Sequence, residues 1–255
     1  MASPIIKKYI REGTLPHIWC GGCGHGIIMR NLAVAIENLG IDRDKVCLVS
    51  GIGCSSRIAG YMDFNTLHTT HGRAVAFATG VKVANPDMTV IVAAGDGDIS
   101  AIGGNHLIHA ARRNIDLTVI VMNNDIYGMT GGQFSPTTPM GDLATTAPYG
   151  NVDRPFDIAK LSVGAGATYA AKGSAYHVKD TTKFIQEGIA HKGFAIIDCV
   201  SSCPTYYGRK NKKGGAVEMM ELQKKNFVPE RLLERLEPEW IEEYDKTIRA
   251  MKGGK

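Results

Sequence analysis

The chain is predicted to fold as an α/β domain, a parallel sheet with helices on both faces, and three observations predict it. Residues 46–50 (VCLVS), 89–94 (TVIVAA), 117–122 (LTVIVM) and 194–200 (FAIIDCV) are nearly continuous apolar runs of strand length. A strand buried on both faces reads this way, whereas a strand with one wet face alternates. Segments with helical apolar spacing separate the runs, as expected when a crossover helix follows each parallel strand. Glycine, acidic and amide residues gather directly after two of the runs, as Gly95-Asp96-Gly97-Asp98 and Asn123-Asn124. Open α/β sheets bind ligands at that carboxyl edge.

Each element can be justified in turn. Residues 26–39 (GIIMRNLAVAIENL) carry helical spacing, and Gly40 stops them. Strand 46–50 follows, then a helix over 72–84 that ends before Asn85-Pro86, because the residue before proline disfavours helical backbone. Strand 89–94, helix 99–113 and strand 117–122 form one βαβ unit. Residues 128–155 are rich in Gly, Pro and Thr without an apolar period; a loop that long inside a compact domain is usually functional or a partner contact. Helix 156–163, a short strand near 167–171, helix 180–191 and strand 194–200 complete the alternation. After Cys203 the character changes, and 216–251 is charged and helical with breaks at Pro229 and Pro238. The expected division is an α/β domain over 1–207 and a charged helical tail over 208–255 that lies outside or clasps another subunit.

Composition narrows the functions. Of the 255 residues, 44% are hydrophobic and 21% charged, ordinary globular values that argue against a disordered chain. A net charge of +4 is too small to argue for nucleic acid, and the run Arg209-Lys210-Asn211-Lys212-Lys213 reads as a solvated loop. No apolar stretch approaches the length of a membrane span. Residues 1–13 lack the apolar core of a secretory signal. Six cysteines without such a signal point to a reducing, cytoplasmic setting and to metal or redox work.

Two constellations carry chemistry. Asp96 offers a hard carboxylate oxygen and Asn124 an amide oxygen at adjacent strand ends, ligands that suit Mg²⁺ shared with a substrate phosphate. The glycines beside Asp96 let backbone N–H groups approach a diphosphate. No Lys follows them, which excludes a P-loop. The second constellation is Cys20 and Cys23 in a CxxC, Cys54 just past one strand and Cys203 just past another. All can reach the edge that bears GDGD. Four loop thiolates suit a [4Fe–4S] cluster and a structural zinc ion alike. Cys47 and Cys199 sit inside apolar runs and read as core.

The GDG array followed by the Asn pair resembles the thiamine-diphosphate motif. Taken together, WCGGCGHG (19–26), GIGCSSR (51–57), HTTHGRA (68–74), GDGD (95–98), GGNHLIHAARRN (103–114), NNDIYGMTGGQ (123–133) and SSCPT (201–205) resemble the beta subunit of 2-oxoacid:ferredoxin oxidoreductases, most closely its 2-oxoglutarate branch. The likeness covers roughly residues 15 to 207. It implies a thiamine-diphosphate-binding fold, the diphosphate-binding half, with thiamine diphosphate, Mg²⁺ and a [4Fe–4S] cluster as cofactors. It also implies roles. Cys20, Cys23, Cys54 and Cys203 would ligate the cluster. Asp96, Asn124 and the main-chain carbonyl of Ile126 would hold Mg²⁺. Gly97, Asp98, Gly128 and Met129 would line the diphosphate. Ile52, Gly53 and Ser55 would approach the thiamine, with Cys54 between them, and His71 would contact the cofactor. His71 beside Gly72 could also merely cap a helix, and His106 and His109 read as structural.

The implied reaction is oxidative decarboxylation of a 2-oxoacid, with coenzyme A taking the acyl group and ferredoxin the electrons. Thiamine enzymes need a carboxylate on the aminopyrimidine, and no Glu stands in a recognisable place for it. The chain therefore reads as half of an active site, with an alpha subunit bringing the Glu and much of the pocket in a heterodimer or a dimer of heterodimers. Arg57, three residues after Cys54, is a candidate for the second carboxylate of 2-oxoglutarate, or else is simply solvated. Pyruvate and other 2-oxoacids remain open as substrates, as do a non-redox thiamine-dependent decarboxylase or synthase and a zinc- or Mg-binding scaffold.

Overall fold

The computed structural model describes residues 4–253. In chain order the elements are α1 (Pro4–Tyr9), α2 (His25–Asn38), β1 (Val46–Ser50), α3 (Ile58–Tyr61), β2 (Asn65–His68), α4 (Ala74–Ala84), β3 (Thr89–Gly95), α5 (Gly104–Arg112), β4 (Leu117–Asn123), β5 (Ile126–Tyr127), β6 (Gln133–Phe134), α6 (Ile158–Ala165), β7 (Tyr169–Ser174), α7 (Val178–Ala190), β8 (Phe194–Val200), α8 (Ala216–Asn226), β9 (Glu230–Glu234) and α9 (Pro238–Gly253). Seven strands form one sheet in the order β2-β1-β3-β4-β8-β7-β9, parallel except for the β7–β9 pair.

The sheet is parallel because its central strands are apolar on both faces and must be covered twice. Leu48, Ile91, Ile120 and Ile197 point to one core with Leu32 and Ile36 of α2 and Ile185 of α7. Their neighbours Val49, Val92, Val119 and Ile196 point to the other, with Val75 and Ala78 of α4, Leu107 of α5 and Ile158 of α6. The period-2 alternation of side chains accounts for this split. Within α2, Ile28, Met29, Leu32, Ala35 and Ile36 are buried on the helical period, and Gly40 follows with a left-handed φ of 62°. The carboxyl ends of β1, β3, β4 and β8 then emerge side by side on one edge.

Several elements depart from the sequence reading. The strand at 65–68 was not expected: NTLH is half-exposed at the sheet margin, and only pairing with β1 makes it a strand. Within the charged tail, expected to be helical, Glu230–Glu234 is a strand that runs antiparallel along β7. Its sequence, ERLLE, is polar enough for an exposed edge. The 128–155 loop opens with a tight hairpin that pairs Ile126–Tyr127 with Gln133–Phe134. Directly after Asp96 the chain makes a π-helical turn over Asp98–Ile102 before α5 starts at Gly104.

Candidate active site

Two cavities share a wall at the carboxyl edge of the sheet. The first is a cleft of about 100 Å³ lined by Ile52, Gly53, Cys54, Ser55, His71, Asp96, Gly97, Asp98, Asn124, Ile126, Gly128 and Met129, among others. The second, of about 230 Å³, is lined by Cys20, Cys23, Cys54 and Cys203 together with Trp19, Thr205 and Tyr206. Cys54, His25, Asn124, Gly128 and Met129 face both. A methyl group placed on Gly128 would lie 3.5 Å from Cys203 Sγ and 3.6 Å from Cys54 Sγ. Gly128 and Met129 of the hairpin turn are thus part of the wall between the two spaces.

At the back of the cleft, Asp96 is 2% exposed. Its Oδ2 accepts from the Thr137 hydroxyl at 2.7 Å and from the Ser135 hydroxyl. Burial pushes its carboxyl above the usual carboxylate range, while these hydroxyls pull it back. Oδ1 is left facing Asn124. One terminal atom of the Asn124 amide stands 3.2 Å from Asp96 Oδ1 and 2.7 Å from the Ile126 carbonyl oxygen. With nitrogen there, the amide donates to both; with oxygen there, three oxygens converge and no donor lies between them. Oxygen ligands at right angles around Mg²⁺ sit ~2.9 Å apart, given metal–oxygen distances of ~2.05 Å. The convergence suits such a cation. It is built by the left-handed turn at Asp125 (φ 60°), which swings the Ile126 carbonyl back toward the strand end.

The hydroxyls that hold Asp96 were missed in the sequence. They come from Ser135-Pro136-Thr137-Thr138, in the long loop after the hairpin. Thr138 donates to the Asp125 carbonyl, fixing the same turn from the other side. The signal was the density of hydroxyls in a segment otherwise read only as a loop.

Asp98 lines the cleft with its side chain only 3% exposed. It accepts from the Gly72 N–H at 2.7 Å and pairs with His71 Nδ1. It therefore positions His71, fixing which ring nitrogen faces outward. Gly72 adopts a φ of +73° with Ile102 and the Gly103 backbone pressed against it, so a side chain there would strain the turn. Tyr127 packs over Gly97, donates to its carbonyl at 3.0 Å and meets His71 edge-on. Ser55 Oγ and His25 Nδ1 are buried without a hydrogen-bond partner.

The cysteine loops are tied to one another. Trp19 Nε1 donates to the Cys54 carbonyl at 2.7 Å. Ser202 N–H donates to the Cys23 carbonyl at 2.9 Å. Burial, with neighbouring Cys203, Cys23, Cys20 and Asp96, pushes the Cys54 thiol up to about 11. Burial likewise raises Cys23, and it lowers His25 to about 4, so that this imidazole is neutral. Among the described residues no three His, Cys, Asp or Glu side chains come together closely enough to hold one metal ion. Cys47 and Cys199 are buried within β1 and β8, as expected. Arg57 is exposed and does not line the cleft. His106 contacts Arg73 on the surface and lies outside the cleft.

Comparison with known proteins agrees with this geometry. Residues 51–199 match the family model described as thiamine pyrophosphate enzyme, C-terminal TPP binding domain. The chain is 54% identical to the 2-oxoglutarate synthase subunit KorB of Methanothermobacter marburgensis over 92% of this chain and 82% of that protein. It is 50% identical to the subunit of the same name from Methanocaldococcus jannaschii, over 96% and 97% respectively. A solved structure of 2-oxoglutarate:ferredoxin oxidoreductase from Magnetococcus marinus with 2-oxoglutarate, coenzyme A and succinyl-CoA bound superposes with a TM-score of 0.83 at 38% identity, covering 98% of this chain and 91% of that one. The chain belongs to the thiamine pyrophosphate enzymes and, within them, to the beta subunits of the 2-oxoacid:ferredoxin oxidoreductases. It is part of an enzyme complex. No helix among the described residues is long and apolar enough to cross a membrane.

Proposed function

We propose that this chain binds thiamine diphosphate through Mg²⁺ in the cleft and a [4Fe–4S] cluster in the cysteine cavity, and that together with an alpha subunit it oxidises 2-oxoglutarate to its acyl-CoA with ferredoxin as acceptor. The observation that carries this reading is the shared wall. A redox centre serves a thiamine site only if electrons can cross between them; Cys54 lines both spaces, and a methyl group on Gly128, which also faces both, would touch the sulfurs of Cys54 and Cys203. When bound, thiamine diphosphate supplies the electron sink that makes decarboxylation of a 2-oxoacid possible, and the cluster supplies one-electron oxidation.

The residues fit these groups. Asp96, Asn124 and the Ile126 carbonyl would hold Mg²⁺, with Ser135 and Thr137 fixing the carboxylate. Gly97, Asp98, Gly128 and Met129 would border the diphosphate, and the Ser55 hydroxyl, which lines the cleft without a hydrogen-bond partner, would be free to meet a polar cofactor atom. His71, oriented by Asp98, would present one ring nitrogen to the cofactor. Tetrahedral zinc would need sulfurs ~3.8 Å apart, from zinc–sulfur bonds of ~2.3 Å. The four thiols line one cavity of about 230 Å³, and the likeness to ferredoxin oxidoreductases favours a cluster over zinc there.

The cleft also supports a two-subunit site. Its volume of about 100 Å³ is below the several hundred Å³ of a complete small-molecule pocket, and among the described residues no Glu lines it. An alpha subunit would supply the carboxylate and close the cleft. The exposed apolar residues Tyr149 (99%) and Val152 (84%) in the 128–155 loop offer it a seat. The test is 2-oxoacid-dependent reduction of a viologen dye with coenzyme A. The heteromer should turn over 2-oxoglutarate and the single chain should not; turnover by the single chain would contradict the half-site reading.

A further inference from the structure

The whole net charge of the chain is concentrated beside the cysteine cavity. Residues 203–227 contain six Lys or Arg and two Glu, while the rest of the chain has 23 of each sign, against totals of 29 and 25. Read in sequence, the run from Arg209 to Lys213 is a solvated loop. In the fold it is a held turn. Lys213 N–H donates to the Gly208 carbonyl at 2.9 Å, and Asn211 exchanges two hydrogen bonds with the Leu143 backbone at 2.7 and 3.0 Å. The segment is also tied to the loops that carry the cavity's cysteines. Gly208 N–H donates to the Cys203 carbonyl at 2.9 Å, and Ala216, the first residue of α8, packs directly on Gly22 of the CxxC.

Most of this charge is unspent. Lys213 pairs with Asp142, and Lys224 with Glu221 at 3.6 Å. Arg209, Lys210, Lys212 and Lys225 are exposed and have no carboxylate partner among the described residues. Val217, 71% exposed, and Leu222, 38% exposed, line one shallow groove with Lys212, Lys213 and Lys225, while Ile18, 67% exposed, lines the cysteine cavity with exposed Cys20. Exposed apolar side chains interspersed with unpaired charge suit a transient protein interface.

We propose that the face formed by Tyr206, the Arg209–Lys213 turn and the outer side of α8 is the docking surface for an acidic one-electron carrier protein. The proposal rests on the reading that the cysteine cavity holds an iron–sulfur cluster. With a cluster bound there, each docked carrier would accept one electron, with no bond made or broken, so the two electrons released per 2-oxoacid would need two docking events. Opposite charge on the carrier raises the encounter rate and sets orientation, and the exposed rim brings its redox centre toward the cluster.

The test uses the assembled complex with Lys210→Glu/Lys212→Glu, assayed with 2-oxoglutarate and coenzyme A. An acidic ferredoxin serves as acceptor in one arm and methyl viologen in the other. In low salt the ferredoxin KM should rise about tenfold or more, since steering of this kind is worth 10-fold to 1000-fold in on-rate. The difference should shrink in 0.5 M salt, where screening shortens to ~4 Å. The viologen rate, the KM for coenzyme A and the iron content should match the unmodified complex, and Lys210→Arg/Lys212→Arg should restore the ferredoxin KM. An unchanged ferredoxin KM overturns the proposal. A raised KM for coenzyme A overturns it in favour of a phosphate-binding role, and failure to co-purify with the partner subunit overturns it in favour of a subunit contact. Absence of iron from the unmodified complex would instead defeat the cluster reading on which the proposal rests.

Discussion

Replacing Asp96 by Asn isolates the cation site from the fold. In the native chain Oδ2 is held by Ser135 and Thr137, and Oδ1 faces Asn124 and the Ile126 carbonyl. In Asp96→Asn the amide oxygen can keep both hydroxyl donors. Its nitrogen then points at Asn124 and Ile126, donating hydrogen bonds where a cation would sit. The substitution is isosteric, so no cavity opens. Burial disfavours the charged form of Asp96, so removing that charge should leave the melting temperature unchanged or slightly higher. Cofactor binding should suffer instead. Losing one formal charge from three converging oxygens removes a charge-assisted contact worth ~3 kcal/mol in a desolvated site, about a hundredfold in affinity. The assay is calorimetric titration of Mg²⁺ and thiamine diphosphate into the assembled complex, with thermal unfolding alongside. Unchanged affinity for both ligands would refute the assignment. A weakened site accompanied by a collapsed melting temperature would assign Asp96 to the fold rather than to the cofactor.

Other outcomes are expected from the same geometry. Asp198, 5% exposed in β8, is pushed up to about 7 by burial, so its stabilising contribution is complete below about pH 4 and is lost as pH rises toward 7. Asp198→Asn should therefore raise the melting temperature more at pH 8 than at pH 5, with a ceiling of ~4 kcal/mol from roughly 1.4 kcal/mol per pH unit crossed; equal effects at both pH values would show that Asp198 folds ionised. Arg57 is exposed two residues beyond Ser55, where a covering subunit could bring the substrate's second carboxylate to it. Arg57→Ala should lower kcat/KM for 2-oxoglutarate by ~2 kcal/mol, roughly thirtyfold, and leave pyruvate nearly unchanged, while no change for either acid would leave Arg57 in solvent. Substituting Ala for Cys20, Cys23, Cys54 or Cys203 should abolish the low-temperature EPR signal of the reduced complex, and Cys47→Ala and Cys199→Ala should keep it; loss of the signal in Cys47→Ala would place the cluster elsewhere.

The centre of the fold was legible because its signals are local. The apolar runs at 89–94 and 194–200 can only be doubly covered strands, and the structure has them as Thr89–Gly95 and Phe194–Val200. GDGD and the Asn pair announce the working edge because they directly follow such runs. The margins were not legible. NTLH at 65–68 and ERLLE at 230–234 become strands only by pairing with β1 and β7, which no local pattern encodes. Asp98 illustrates a second limit. Sequence spacing puts it beside Gly97 at the strand end, but not its partners: Gly51, His71 and Gly72 approach its carboxylate from two other loops. Ser135 and Thr137 likewise reach Asp96 only because the hairpin folds the long loop back over the sheet edge. The basic turn at Arg209–Lys213 gained its meaning from position, as its composition alone does not distinguish it from a solvated loop.

The most direct measurement is the iron and acid-labile sulfide content of the complex purified with its partner subunit under argon. About four of each per beta chain are expected if the cysteine cavity beside the thiamine cleft holds a [4Fe–4S] cluster. Stoichiometric zinc with no iron or sulfide would contradict it.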